Sequence, residues 1–242
     1  MIRIFQKGFN FSQDGPGNRL VYHLQGCNLR SPWCSNPEGL EWNGDGRVYS
    51  TDELMEEARR SSIRFFDGGG VTLTGGEVTM QLPGVLEFLT RLHEEGIHTC
   101  IETNGISPGL PQLFPVLDLL IMDVKHHDPA KHRSVTGAEN TLTFDNVVRA
   151  LEAGQPLALR IPLIGGFNAS EEDAHGFAAL FQKLGVPGKA TVELLRYHEY
   201  GRDKYKKLGI PYTMDETAKV SKAQCDHYEE ILREAGITIL PT

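Results

Sequence analysis

Short apolar runs alternate with amphipathic segments along most of this chain. Six of the runs are almost continuously apolar, which is typical of strands that are buried on both faces of a sheet. An alternating run at 2–5 and a short run at 237–240 indicate two further, weaker strands. We predict the six main strands at 20–24, 71–74, 99–103, 117–125, 157–164 and 191–198.

The segments between these strands predict helices. Apolar side chains recur at helical spacing in 82–95, and Gly96 follows as a stop signal. Ser50 and Ser170 stand where capping residues begin a helix. The remaining patterns predict a helix at 143–153 and a long helix from about 215 to 235. Strands that alternate with helices in this way predict an α/β fold with a parallel sheet.

Glycine and polar residues cluster where the predicted strands end. Gly75-Gly76-Glu77, Glu102-Thr103-Asn104-Gly105, Asp123-Val124-Lys125 and Gly165-Gly166-Phe167-Asn168 each follow a strand, and His198 ends the sixth. In α/β barrels the ligand site lies at the carboxyl ends of the strands. Each string also has a purely structural interpretation as a turn or a salt bridge at the rim. The sequence therefore predicts a ligand site at this edge, built from several loops.

Composition narrows the classes of function. The chain has 242 residues and a formal net charge of −8, which argues against sequence-independent nucleic-acid binding. No apolar run approaches the roughly 18 residues of a membrane span, and the N-terminus lacks the apolar region of a signal peptide. We therefore expect a cytoplasmic, monomeric protein that forms a single domain over residues 1–242. Four cysteines do not indicate a secreted disulfide framework, and we expect Cys100 and Cys225 to be buried thiols.

Two further cysteines lie in the loop after the first main strand. The string Gly26-Cys27-Asn28-Leu29-Arg30-Ser31-Pro32-Trp33-Cys34 has the outer spacing of C-x-x-x-C-x-x-C, with serine in the middle position. On its own this spacing favours structural thiols. Together with the strings at the strand ends, it resembles the radical S-adenosylmethionine (SAM) enzymes that activate glycyl radical enzymes. The resemblance covers nearly the whole chain and implies a partial (β/α)6 TIM-type barrel with parallel strands.

The resemblance also implies cofactors and their ligands. One 4Fe–4S cluster would take Cys27, Cys34 and the residue at position 31, where relatives have cysteine. A monovalent cation would lie near Glu102, Thr103, Ile121 and Asp123. The residues that the resemblance places around SAM are Trp33, Gly75, Gly76, Glu77, Thr103, Asn104, Asp123, Lys125, Arg160, Asn168 and His198.

In enzymes of this family, the reduced cluster cleaves SAM to methionine and a 5′-deoxyadenosyl radical. That radical takes a hydrogen atom from a glycine of the partner. The resemblance thus implies two partners: the glycine loop of a glycyl radical enzyme, and a low-potential electron donor such as flavodoxin or ferredoxin. His126, His127 and His132 lie outside the matched strings. Because charged residues separate them, we predict a solvated, mobile segment there and not a metal site.

Ser31 departs from the family pattern at a cluster ligand. A hydroxyl is harder and far less acidic than a thiol, so we expect the cluster to be weakened or altered. The sequence leaves three explanations open: an engineered loss of one ligand, a natural homologue that binds little cluster, or an alkoxide ligand. It also leaves three functions open: an activase, a catalytically silent SAM-binding partner of a glycyl radical enzyme, and a radical SAM enzyme that acts on a small molecule.

Overall fold

The computed structural model describes residues 1–241, which divide into two compact units. The first unit comprises residues 1–28, 38–103 and 107–121. The second unit comprises residues 29–37 and 104–106, and the described chain from residue 122 onward.

The first unit contains a sheet with the strand order β3-β1-β2-β4-β5. Strand β1 pairs antiparallel with both β2 and β3, whereas β2, β4 and β5 run parallel. Helix α1 begins with a capping box between Ser50 and Glu53, as the sequence predicts. The elements of this unit are β1 (Ile2–Phe11), β2 (Asn18–Leu24), β3 (Arg47–Tyr49), α1 (Thr51–Ser61), β4 (Gly70–Gly75), α2 (Leu82–Glu94) and β5 (His98–Thr103).

Strand β6 (Leu119–Asp123) carries the chain from the first unit into the second, where β7, β8 and β9 pair in parallel. The side chains of β7 alternate between buried and half-buried, so this strand is not buried on both faces as the sequence pattern indicates. The remaining elements are α3 (Pro129–Thr136), α4 (Thr141–Glu152), β7 (Leu157–Leu163), α5 (Glu171–Leu184), β8 (Thr191–Arg196), α6 (Arg202–Leu208), α7 (Lys222–Glu234) and β9 (Thr238–Ile239).

A long helix is predicted from about 215 to 235, and the predicted start is wrong, because the helix begins only at Lys222. Asp215 caps only a single 3-10 turn, Glu216–Ala218, by accepting hydrogen bonds from the backbone and hydroxyl of Thr217. The chain is extended at Lys219, and α7 begins after Ser221, which forms a capping box with Gln224. A second set of capping residues therefore splits the helix that the apolar spacing suggested.

The prediction of a solvated segment around His126 and His132 is also wrong. The side chains of both residues are buried. Asp128 caps α3, and Pro129 occupies its first position, so the chain turns sharply between His126 and the helix. His126 then points inward and packs against Phe167 and Phe177.

No helix within the described residues is long and apolar enough to cross a membrane. Cys100 and Cys225 are buried, as predicted. None of the four cysteines, all of which belong to the described residues, forms a disulfide.

Candidate functional site

In the first unit, the loop after β4 packs against the backbone that precedes Cys27. The backbone N–H of Glu77 donates to the carbonyl of Gly26 at 2.7 Å, and that of Gly76 donates to Leu24 at 2.8 Å. A Cβ at Gly76 would lie well inside van der Waals contact with the Gly26 carbonyl oxygen. Gly75 adopts φ +104°, which favours glycine. Both glycines are therefore required by the close approach of two backbones.

Glu77 connects this loop to the end of β5. Its carboxylate accepts hydrogen bonds from the Thr79 backbone N–H at 3.0 Å and from the Thr103 hydroxyl at 2.7 Å. The side chain is fully buried, and these donors give its carboxyl group hydrogen-bond partners. The structure thus brings Glu77 and Thr103 together. Glu102 lies beside Thr74, whose hydroxyl donates to it at 2.7 Å, and the side chain of Ile121 is buried within β6.

In the second unit, Ser31 and Cys34 lie in one tight turn, in which the Cys34 N–H donates to the Ser31 carbonyl at 3.1 Å. The N–H of Asn36 donates to the Cys34 Sγ at 3.4 Å, a contact that stabilises a thiolate. Trp33 packs on Phe167, with ring centroids 4.9 Å apart. The loop therefore holds Ser31 and Cys34 in one backbone turn, next to the packed rings of Trp33 and Phe167.

One ion pair lies at the carboxyl end of β6, and a second joins the middle of β7 to β8. Lys125 contacts Asp123, so the rim salt bridge that the sequence allowed is present. Arg160 Nε donates to Glu193 Oε2 at 2.6 Å across the β7–β8 pair. This contact fixes the orientation of the planar Arg160 guanidinium relative to β8.

The side-chain amide of Asn168 forms hydrogen bonds with the backbone of its surroundings. It is fully buried, and its Nδ2 donates to the carbonyls of Lys125 and Pro162, each at 2.8 Å. Its Oδ1 accepts from the Ile164 N–H at 2.8 Å. All the hydrogen-bonding capacity of its amide group except one acceptor position is therefore used to hold the β6 and β7 ends together. These contacts give Asn168 a positioning role in the loop, and its contact with SAM stays a prediction.

Replacing Asn168 with alanine tests this positioning role. The substitution leaves two carbonyls and one N–H unpaired, so we expect the free energy of unfolding to fall by about 3 kcal/mol. Urea unfolding measures the change, and Gln182→Ala, which removes an exposed amide, should change it little. A loss of SAM affinity without a loss of stability would contradict the positioning role.

His126 forms a hydrogen bond with the loop that contains Asn168, and its hydrogen bonds fix one tautomer of the ring. Its Nδ1 accepts from the Asp128 N–H at 2.9 Å, so Nε2 carries the proton and donates to the Phe167 carbonyl at 3.1 Å. Burial, reinforced by neighbouring His127, lowers the pKa of His126 to about 4. His126, His127 and Asp173 are close enough to hold a metal ion, because their ligand atoms lie within 4.8 Å of one another. Metal ligation at His126 Nε2 would remove the proton that these hydrogen bonds require.

The lowered pKa of His126 predicts a pH dependence of stability. The folded pKa lies below the unfolded value of about 6.5, so the unfolded state binds the proton more tightly. Stability should therefore fall as the pH drops from about 6.5 to about 4, by up to about 1 kcal/mol per pH unit from this residue. His126→Asn should flatten that part of the urea-unfolding profile, whereas His93→Asn, at an exposed helix position, should not. An unchanged slope in His126→Asn would contradict the assignment.

Two other residues predicted to bind SAM lie in loops of the second unit. His198 lies two residues beyond the end of β8, stacks on Tyr200 with centroids 4.0 Å apart, and has a pKa lowered by burial. Asn104 is buried, and its Oδ1 accepts from the Ile106 N–H at 2.9 Å. The sequence pattern predicts a solvated segment at His126 and so misses its buried position beside Phe167.

Comparison with known proteins identifies the family. The model of the Radical SAM superfamily matches residues 21–178. A pyruvate formate-lyase-activating enzyme from Staphylococcus epidermidis is 34% identical over 211 residues, covering 84% of this chain and 83% of that protein. The chain belongs to the radical SAM superfamily and, within it, to the family of pyruvate formate-lyase-activating enzymes. The pyruvate formate-lyase 1-activating enzyme of Escherichia coli K12 is 30% identical and covers 94% of the chain and 93% of its own length.

Solved structures confirm the predicted fold class. A domain of a pyruvate-formate lyase-activating enzyme from Bacteroides vulgatus matches 72% of this chain and 98% of its own, with 26% identity and a TM-score of 0.59. A radical SAM methyltransferase from Sphaerobacter thermophilus matches 96% of this chain and 67% of its own, with a TM-score of 0.69. Its identity is only 18%, so it shows the shared fold and nothing more.

Enzymes of this family use a 4Fe–4S cluster and SAM, and the residues of this chain fit the two differently. In the first unit, the two glycines before Glu77 form a loop whose main chain a small ligand such as SAM can approach closely. Iron–sulfur clusters are held by cysteine thiolates, and the loop supplies only Cys27 and Cys34 together with the Ser31 hydroxyl. The donor set therefore does not fit a cluster with three thiolate ligands.

Proposed function

We propose that this chain is a radical SAM activase of a glycyl radical enzyme, and that Ser31 lowers its activity by replacing one cluster ligand. Membership of the pyruvate formate-lyase-activating enzyme family, over more than nine-tenths of the chain, carries this proposal. Its relatives' name points to a pyruvate formate-lyase as the partner whose glycine loses a hydrogen atom. We infer a monomer in the cytoplasm, with residues 1–242 acting as a single domain.

We assign roles to the residues of the site as follows. Gly75 and Gly76 let the backbone approach the amino group of SAM, and Glu77 with Thr103 fixes that loop. Arg160, held by Glu193, binds the carboxylate of SAM, and Trp33 on Phe167 forms an apolar wall that excludes water. Asp123, Lys125, Asn104 and His198 complete the SAM site, and Glu102, Thr103, Ile121 and Asp123 form the monovalent-cation site.

The family's cluster, when bound, supplies the single electron that cleaves SAM, and a donor such as flavodoxin or ferredoxin would deliver it. The protein's own contribution is to hold SAM rigidly and to keep water away from it. Glycine suits hydrogen abstraction because no Cβ blocks the approach to its Cα.

The decisive experiment uses the Ser31→Cys chain, reconstituted anaerobically and mixed with SAM, a reductant and a pyruvate formate-lyase. We expect electron paramagnetic resonance to show a radical on the partner's glycine, and to show much less with the native chain. A partner glycine-to-alanine variant is the control and should give no such signal. A reconstituted chain that cleaves SAM and leaves the partner unchanged would contradict the proposal.

Ser31 itself favours a second candidate function, a catalytically silent SAM-binding partner of a glycyl radical enzyme. The two functions differ in the behaviour of Ser31→Cys. The silent protein would bind SAM and the partner enzyme but would cleave no SAM in either form.

A further inference from the structure

Four aromatic side chains of the second unit pack in a row that ends at the loop carrying Cys34. The ring of Phe167 contacts that of Trp33 and that of His126, with ring centroids 4.9 Å apart in each contact. His126 in turn contacts His127, with centroids 4.6 Å apart. We call Trp33, Phe167, His126 and His127 the ring column. Its members come from three separate segments of the chain, so no local sequence pattern indicates it.

The ring column rests on the backbone of α5. A Cβ at Gly176 would lie 2.4 to 2.6 Å from three ring atoms of His127, which is closer than real Cβ atoms approach other groups. Gly176 lies inside the 14-residue helix α5 and has no left-handed φ, so its backbone conformation does not require glycine. Glycine is also a poor helix former at an interior position. The feature that requires glycine here is therefore the space occupied by the His127 ring.

Hydrogen bonds hold the two histidines of the ring column. His127 Nε2 donates to Asp173 Oδ1 at 3.2 Å, and the other oxygen of that carboxylate accepts from the backbone and hydroxyl of Ser170. His126 Nε2 donates to the Phe167 carbonyl at 3.1 Å. Because directed bonds and close packing act on the same rings, a displacement of His127 is transmitted to His126 and from there to Phe167.

The Trp33 end of the ring column lies in a loop that has little structure of its own. Residues 31–36 form no helix or strand, and the Trp33 side chain is half-buried, so part of its ring is open to a ligand. The Arg30 N–H donates to the Thr136 carbonyl at 2.9 Å, which anchors the backbone of this loop. The orientation of the Trp33 ring is set by its packing on Phe167.

We infer that His126 and His127 are positioning residues, which act through the ring column to hold Trp33 in place as a wall of the SAM site. This inference rests on the proposed function, because only that function places SAM against Trp33. A wall that is in place before the ligand arrives reduces the entropy lost on binding. SAM affinity should therefore depend on Gly176, although three rings separate it from Trp33.

Gly176→Ala tests the ring column at its base, in the native chain and without a bound cluster. Because the new methyl group must displace the His127 ring, we expect a red shift of the Trp33 emission and a lower urea midpoint. SAM affinity, measured by equilibrium dialysis, should fall about tenfold. In a Trp33→Phe background only Trp42 fluoresces, and Gly176→Ala should leave that emission unchanged.

Removing the His127 ring should reverse the effect of Gly176→Ala on stability. In a His127→Ala background the ring that the methyl group would meet is gone, and alanine is the better helix former. The urea midpoint should therefore rise, and the Trp33 emission should be the same with and without Gly176→Ala. In the native background, an unchanged Trp33 emission in Gly176→Ala would overturn the inference, whether the urea midpoint rises or falls.

Two substitutions at His126 test the hydrogen bond in the middle of the ring column. His126→Gln keeps a side-chain N–H donor for the Phe167 carbonyl, whereas His126→Leu removes the donor and keeps an apolar side chain. We expect the glutamine variant to retain the native Trp33 emission and SAM affinity, and the leucine variant to change both as Gly176→Ala does. Equal behaviour of the two variants, whether native-like or disturbed, would contradict the role of His126.

Failure of the inference can be separated from failure of the proposed function. The Trp33 emission is measured without SAM, so it reports on the ring column alone. If Gly176→Ala shifts this emission and lowers SAM affinity, both proposals stand. A shifted emission with unchanged SAM affinity would overturn the inference and leave the proposed function intact. If neither the native chain nor Ser31→Cys binds SAM, the proposed function fails, and with it the role of Trp33 as a wall of the SAM site.

Discussion

Replacing Ser31 with cysteine is expected to raise the iron content of the reconstituted protein to about four atoms per chain, with a matching amount of sulfide. The native chain should hold clearly less, because a serine hydroxyl is a poor ligand for iron in a sulfide cluster. SAM cleavage to methionine and 5′-deoxyadenosine should appear with the iron. Ser31 is buried in the same backbone turn as Cys34, and cysteine differs from serine only in its Sγ atom.

Chemical analysis of iron and sulfide, low-temperature electron paramagnetic resonance and chromatography of 5′-deoxyadenosine measure this effect. Ser31→Ala is the matched control, since it removes the hydroxyl without adding a ligand. If Ser31→Ala and the native chain hold equally little iron, the hydroxyl contributes nothing to binding. If the native chain already holds a full cluster and cleaves SAM as fast as Ser31→Cys, Ser31 is a working ligand and our interpretation of it is wrong.

Gly76→Ala is expected to have the second-largest effect, on both stability and SAM binding. The new Cβ would overlap the Gly26 carbonyl oxygen, which is backbone and cannot rotate away. Relieving that overlap should lower the free energy of unfolding by about 2 kcal/mol. It would also move the Glu77 N–H away from Gly26, and with it the loop that we assign to SAM, so we expect SAM affinity to fall more than about tenfold.

Urea unfolding and equilibrium binding of SAM to the Ser31→Cys protein test the two parts of this prediction. Gly8→Ala is the control, because a Cβ at that exposed position of β1 meets nothing within 4 Å. A Gly76→Ala protein that keeps its SAM affinity would remove the glycine loop from the SAM site. A Gly76→Ala protein that loses SAM affinity but keeps its free energy of unfolding would show that the loop can shift without destabilising the fold.

The sequence predicts much of the fold because strand patterns and capping residues act locally. The apolar runs of β2 and β4 and the capping boxes at Ser50 and Ser170 all appear in the structure where they are expected. Strand β3 has only three residues and no buried side chain, so its pairing with β1 leaves no apolar pattern in the sequence.

The sequence predicts which residues lie at the candidate site but not which hydrogen bonds they form, and their binding of SAM stays a prediction. The strings at the strand ends contain Glu77 and Asn168, and the resemblance adds Arg160, yet the sequence does not show that the Asn168 amide bonds to backbone groups. The same limit applies to His126, whose burial depends on Phe167 and Phe177 in distant segments. Hydrogen-bond saturation and burial are set by tertiary contacts, which hydrophobic periodicity does not encode.

The central claim is that this chain directs SAM chemistry at the glycine of a partner enzyme. The most direct test follows deuterium from that glycine. The Ser31→Cys protein, loaded with cluster and reduced, is mixed with SAM and a pyruvate formate-lyase carrying deuterated glycine, and 5′-deoxyadenosine is analysed by mass spectrometry. We predict one deuterium in the 5′-deoxyadenosine formed. Product without deuterium, formed at the same rate whether or not the partner is present, would contradict the account.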